Sequence, residues 1–234
     1  MASAQASTQA PARSTAPARR LTPRRLVLAV ALVVLVVAMA LSTKFLTPAE
    51  LARIAPKPFD PSATAQDLYS RARSELPGKA ADLGKVVPAL QQDPKSAADT
   101  YEAVSPSENS YVFPVRTTAR VVSATDASLR LQVDGVPSQT PVIVPLTTAV
   151  NGSPLRDVMG FKFADAPGQT QYQYVADEMK KLILADVESS VADPTSLEGK
   201  EVEVVGVVAV TTTGGSGVPR AKPVNVQPLS VKAV

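Results

Sequence analysis

The chain of 234 residues contains 0 Cys, 0 His and 0 Trp beside 21 Pro and 11 Gly. Without imidazole or thiol it can build no Ser-His-Asp or Cys-His nucleophile, no histidine or cysteine zinc site, no haem or iron–sulfur ligand set and no disulfide, so carboxylate, lysine or tyrosine chemistry is what remains, or none. The formal net charge of +3 is unevenly spread: Arg13, Arg19, Arg20, Arg24 and Arg25 precede the first acid, which leaves 19 basic against 21 acidic side chains, net −2, for residues 26–234. The basic character belongs to the first 25 residues and not to the body.

Residues 1–25 offer Met1 and Leu21 as their only large apolar side chains, so they are expected to form a disordered basic tail. From Leu26 to Leu41 no polar side chain occurs, and the run extends to Leu46 if Lys44 snorkels. At about 1.5 Å per residue, residues 26–46 cover roughly 30 Å, the thickness of a bilayer's hydrocarbon core. Arginines before the run put the amino end in the cytoplasm and the rest outside, as a single-pass protein of the cell membrane. Ala38-Met39-Ala40 has the small-x-small form of a signal-peptidase site, but the 25-residue lead-in and the length of the run favour an uncleaved anchor. Pro23 before Arg24-Arg25 fits a twin-arginine signal poorly, and with no cysteine there is no site for lipid attachment.

Residues 47–58, with Pro48, Pro56 and Pro58, read as a stiff linker. Residues 59–105 read as a helical neck. Asp60-Pro61 is a cap followed by proline at the first helical position; Ala65, Leu68, Tyr69, Ala72 and Leu76 share one face, and Pro77-Gly78 is expected to end the helix. Ala80, Leu83, Val86, Val87 and Leu90 repeat the period, and Asp93-Pro94 starts a short third helix to about Ala103.

Over 106–234 the period becomes two. Alternation predicts a strand from Tyr111 to Ser123, a turn at Thr125–Ser128 and a strand over Leu129–Val133. Val142-Ile143-Val144, between Pro141 and Pro145, is expected near a sheet edge. A helix follows from Gln171 to about Ser189, then a doubly buried strand Val202–Val210, a Gly-rich loop and a last strand around Val224–Val231. Three strands, a helix and two strands are the order of an OB-fold, so the expected class is α+β: a transmembrane helix, a helical neck and a five-stranded OB-like barrel.

Phe59-Asp60-Pro61, Tyr111-Val112-Phe113, and above all Gly152-Ser153-Pro154-Leu155-Arg156-Asp157 with Phe161 and Phe163, resemble a bacterial family of predicted periplasmic lipoproteins of unknown function, often encoded beside sugar-type ABC transporters. Asp165, Gln169, Tyr172 and Val175 continue the likeness, which runs from Phe59 to the end. Where that family usually carries an aromatic and an asparagine this chain has Ala166 and Gly168, and it lacks the lipobox cysteine of some members. The resemblance implies an envelope protein, an accessory to solute uptake, with no known catalysis.

The candidate ligand-binding residues are Arg156, Asp157, Phe161, Phe163, Asp165, Gln169 and Tyr172. Arg156 could clamp a carboxylate or phosphate, or donate to a sugar-like hydroxyl, with Asp157 as acceptor. The pair could equally brace the loop that leads into the helix, and such junctions need polar fixing whatever the function. Asp165, Gln169 and Tyr172 likewise read as a small polar site or as a capped helix with a buried tyrosine. Asp177-Glu178 and Glu201 with Glu203 are solvated faces, and no Ser-x-x-Lys occurs. Gly78-Lys79 and Gly84-Lys85 lack phosphate-loop spacing and read as helix ends, and Asn151-Gly152-Ser153 reads as a turn more than a glycosylation site.

No catalytic residue, metal or cofactor is expected. The sequence points to a membrane-anchored extracytoplasmic binding or adaptor protein whose partners are another envelope or transporter protein or a small polar ligand, and not nucleic acid, since a basic groove with interleaved aromatics is missing. The alternative is an exported hydrolase working through carboxylates or tyrosine.

Overall fold

The computed structural model describes residues 23–43, 47, 50, 58–212 and 216–234. Contacts divide the chain into two units, Met1–Lys57 and Pro58–Val234.

Within the first unit, helix α1 spans Pro23–Ser42 and buries none of its side chains. Twenty residues at about 1.5 Å each match the roughly 30 Å of a hydrocarbon core, and the helix is long and apolar enough to cross a membrane. Arg24 and Arg25 lie in its first turn, so the part of the expected tail that is described is helical. The rest of that tail, and the linker apart from Thr47, Glu50 and Pro58, fall outside the described residues.

In the second unit α2 spans Pro61–Lys79, opened by Asp60, whose Oδ1 accepts from the backbone N–H of Ser62 (2.9 Å) and Ala63 (3.1 Å). The helix continues past Pro77 to Lys79, where a proline was expected to stop it. A proline in the last turn forfeits a single intrahelical bond, and Lys79 reaches back to Glu75 at 3.0 Å across that turn. Strand β1, Ala81–Asp82, pairs parallel with a later strand, which delays α3 to Leu83–Gln92. Helix α4, Pro94–Thr100, starts on Asp93 as the Asp-Pro pair predicts.

Strand β2, Val104–Ser107, turns through Asn109 at φ 58 into β3, Ser110–Thr125. Then come β4 (Ser128–Gln132), β5 (Val142–Pro145), helix α5 (Ser153–Val158), helix α6 (Gln169–Ser190), β6 (Glu201–Thr211) and β7 (Val224–Ala233). Hydrogen-bonded neighbours run β3-β4-β5-β7-β6, and β6 pairs back onto β3 from Ser110↔Thr211 to Arg120↔Glu201, so five strands form a closed ring. These are the five strands that the sequence predicts; β1 and β2 are additions on the flank of β3.

Two details differ from expectation. Strand β5 is interior to the ring, antiparallel to β4 and parallel to β7. Its flanking prolines lack donors but keep acceptors, and the Pro141 carbonyl accepts the Val224 N–H at 2.8 Å. The helices of 59–105 do not stand apart from the strands, since Leu68, Ala72, Leu83, Val86 and Leu90 join Val121, Leu129, Val204 and Val231 in one continuous apolar core.

Helix α6 packs on β7, α5 and α2. A polar clamp secures the α2 contact: the Tyr69 hydroxyl donates to Asp186 Oδ2 at 2.8 Å and Arg73 Nη1 to the same oxygen at 2.6 Å. Burial first, then the hydrogen bond and charge of Asp186, push the Tyr69 phenol well above its ordinary value. Replacing Tyr69 by Phe leaves Asp186 with Arg73 alone and is expected to cost about 1–2 kcal/mol, read as a lower urea midpoint with an unchanged slope.

Candidate functional site

Seven residues from Asn151 to Asp157 bring the site together. The Asn151 N–H donates to Oε1 of Gln227, a buried polar residue on β7, at 2.7 Å, and Asn151 Oδ1 accepts from the Ser153 N–H at 2.9 Å. Gly152 has ordinary helical dihedrals, φ −78 and ψ −16. It is required for space, because a Cβ there would collide with the Ala176 carbonyl oxygen and the Lys180 N–H of α6. The motif therefore pins the start of α5 between β7 and α6, with Pro154 and Leu155 buried beneath it.

That placement drives Arg156 inward, where it is 4% exposed. Its Nε and Nη2 donate to Asp157 Oδ1 at 2.9 and 2.7 Å, and its Nη1 donates to the Tyr172 carbonyl oxygen at 3.0 Å. The guanidinium carbon lies 3.5 Å from the centroid of the Tyr172 ring, and the Tyr172 hydroxyl donates to Asp157 Oδ1 at 3.1 Å. One carboxylate oxygen thus takes three donors from two elements. Charge-assisted bonds and a desolvated cation over an aromatic face are each strong of their kind, and together they fix α5 to the first turn of α6. Desolvation, then the Asp157 charge, raise the Tyr172 phenol above 10.0.

Around this hub the aromatics assemble. Phe161 stacks on Tyr172 with ring centroids 5.9 Å apart, Phe59 stacks on Phe161 at 6.4 Å, and Phe163 meets Tyr172 edge-on at 5.7 Å. Of the seven candidates, Arg156, Asp157, Phe161, Phe163 and Tyr172 are in contact through this cluster. Asp165 and Gln169 are not part of it. Asp165 Oδ2 accepts from the Lys162 N–H at 2.7 Å, closing a single 3-10 turn, Phe163–Asp165, and it does not cap α6, whose first residues follow Gly168 with no side-chain cap. Gln169 is exposed on the first turn of α6. Sequence reasoning missed Phe59 and Gln227 as members of the site, although Phe59 stands in the Phe59-Asp60-Pro61 motif that shares the family resemblance with Phe161 and Phe163.

Among the described residues no buried side-chain polar atom is left without a partner. Beside the cluster, Val158, Met159 and Gly160 line a cleft of about 360 Å³ with Arg71, Glu75 and Glu102, and two larger clefts lie on the outer wall of the ring. One, of about 580 Å³, is lined by Arg130, Gln132, Asp134 and Ser138. Another, of about 560 Å³, is lined by Asp82, Lys85, Arg116, Thr118, Asp134 and Glu203.

The model of a family described as predicted periplasmic lipoprotein (DUF2291) matches residues 31–227, from inside α1 into β7. No curated protein matches. An OB-fold protein from Thermotoga maritima, known from its crystal structure, is similar with a TM-score of 0.63 at 16% identity, over 76% of this chain and 100% of that one. At that identity the likeness establishes the fold alone.

If Arg156 is a brace, removing it costs stability. Arg156→Met strips Asp157 of its cation and is expected to lower stability by about 2–3 kcal/mol, with part of the loss restored in the Arg156→Met/Asp157→Leu double variant. Gly152→Ala should cost about 1–3 kcal/mol by overpacking. A folded Tyr172 favours the neutral phenol, so its contribution is whole below pH 10.0 and is lost as pH rises through the higher folded value. The difference in phenolate absorbance between the wild type and Tyr172→Phe should accordingly titrate above pH 10.0.

Proposed function

The chain belongs to this family of predicted periplasmic lipoproteins, and from that membership we propose that it is a membrane-tethered extracytoplasmic binding or adaptor module. In this reading α1 is an uncleaved single-pass anchor with its amino end in the cytoplasm. It does the work that a lipid does in lipidated relatives, since a chain with 0 Cys has nothing to acylate. The five arginines ahead of the span support that orientation.

The observation that carries the non-catalytic reading is the closed Arg156–Asp157–Tyr172 network. Its Asp157 Oδ1 is committed to three donors and its phenol is shifted away from ionisation, so the network holds no activated nucleophile. An exported hydrolase would need two acids converging in an enclosed pocket. The acids of the outer-wall cleft are exposed, and Asp82 is occupied in capping α3 through the Gly84 N–H at 2.8 Å.

What remains is a closed ring with one mixed and one polar cleft on its outer wall, a scaffold suited to holding a polar ligand or an envelope partner, as an accessory to an ABC-type sugar or solute uptake system. A phosphatase reporter fused after Val234, which is 79% exposed, should be active only outside the cytoplasm, and in-membrane cross-linking from the Arg116–Arg130 wall should capture a transporter subunit. A reporter active only inside would overturn the topology, and unimpaired uptake in a deletion strain would overturn the accessory role.

A further inference from the structure

Three of the five phenylalanines of the chain, Phe59, Phe161 and Phe163, gather on Tyr172. Phe59 and Phe161 are partly buried against the core, but Phe163 is 58% exposed at the tip of its turn. A solvated Phe beside two stacked aromatics is an amphipathic surface, and aromatic rings of this kind favour the boundary between lipid and water.

Of the nearby carboxylates, Asp157 is paired with Arg156, whereas the exposed Asp60 and Asp165 accept only from backbone N–H groups, which leave their negative charge in place. Lys162, exposed next to Phe163, adds a cation that lipid phosphates attract.

Chain connectivity selects the occupant. Phe59 lies where the chain reaches the folded unit, and residues 43–58 are all that separates it from the end of α1 at Ser42. Fully extended, that stretch reaches at most about 60 Å. With α1 in a bilayer, that connection keeps the folded unit within reach of the lipid surface, at an effective concentration that makes even weak insertion count.

We propose that the Phe59–Phe161–Phe163–Tyr172 cluster is a lipid-contact patch, with Phe163 as its inserting residue and the headgroup region of the bilayer that holds α1 as its occupant. This rests on the anchor reading of α1 and not on its orientation.

The chain has 0 Trp and 0 Cys, so single reporters need no background removal. Full-length Phe163→Trp, reconstituted in vesicles of zwitterionic and anionic lipid, should emit at short wavelength and lose most of its emission when the lipids are brominated near the headgroup. Val122→Trp, on an exposed position of β3, should emit at long wavelength and be spared. A nitroxide on Lys162→Cys should collide more with dissolved oxygen than with a water-soluble nickel chelate. Phe163→Trp emission that ignores brominated lipid overturns the patch, and so does a short-wavelength emission without quenching, which would mean that a second copy or another protein covers it. Flotation separates the two readings: a protein that does not float with the vesicles refutes the anchor, whereas one that floats with an unquenched tryptophan refutes the patch alone.

Discussion

The unit from Pro58 onward depends on β3 having partners along both edges. Its first half, Ser110–Arg120, pairs with β6, and its second half, Arg120–Thr125, pairs with β4. The shift of register between Val121 and Ser123 bends the strand where it passes from one neighbour to the other. A sheet closed in this way has no free edge inside the ring and so offers no template for stray pairing. The valines of β6, buried on both faces, follow from the same closure: Val202, Val204, Val207 and Val208 are almost wholly buried because strands and helices cover them from either side.

The polar part of the molecule serves that architecture. Asn151, Gly152, Arg156 and Asp157 form a short run that ties β7, α5 and α6 together, by a backbone bond to Gln227, by close approach to Ala176 and by the shared carboxylate oxygen. A buried arginine with most of its donors satisfied costs less than its desolvation alone suggests, and its planar fork suits the task better than a lysine would. The run that looks most like a binding motif in the sequence thereby has Arg156 turned inward, and the outer wall of the ring and the aromatic turn stay exposed.

Much of the fold was legible locally. The Asp-Pro pairs at Asp60 and Asp93 mark helix starts because cap and proline act within three residues, and the alternation in β3 and β4 follows from their half-buried faces. The placement of β5 was not, because proline's missing donor suggested an edge while its carbonyl served the ladder. Nor were β1 and β2, at two and four residues too short to show a period. At the site, the pairing of Arg156 with Asp157 was within reach, since they are neighbours at a loop-to-helix junction. The approach of Phe59 to Phe161 joins residues a hundred positions apart, and no local pattern encodes it.

The last strand has a bearing on how the protein comes into being. Strand β7 lies between β5 and β6 and contributes Val226, Leu229 and Val231 to the interior. A chain made and delivered from its amino end therefore cannot close its ring until Val224–Ala233 has emerged, although α2, α3 and β3 have long been available. Until that moment a largely valine-lined interior stands open, and its safety rests on the speed of delivery or on a holder that keeps the unfinished sheet from other chains.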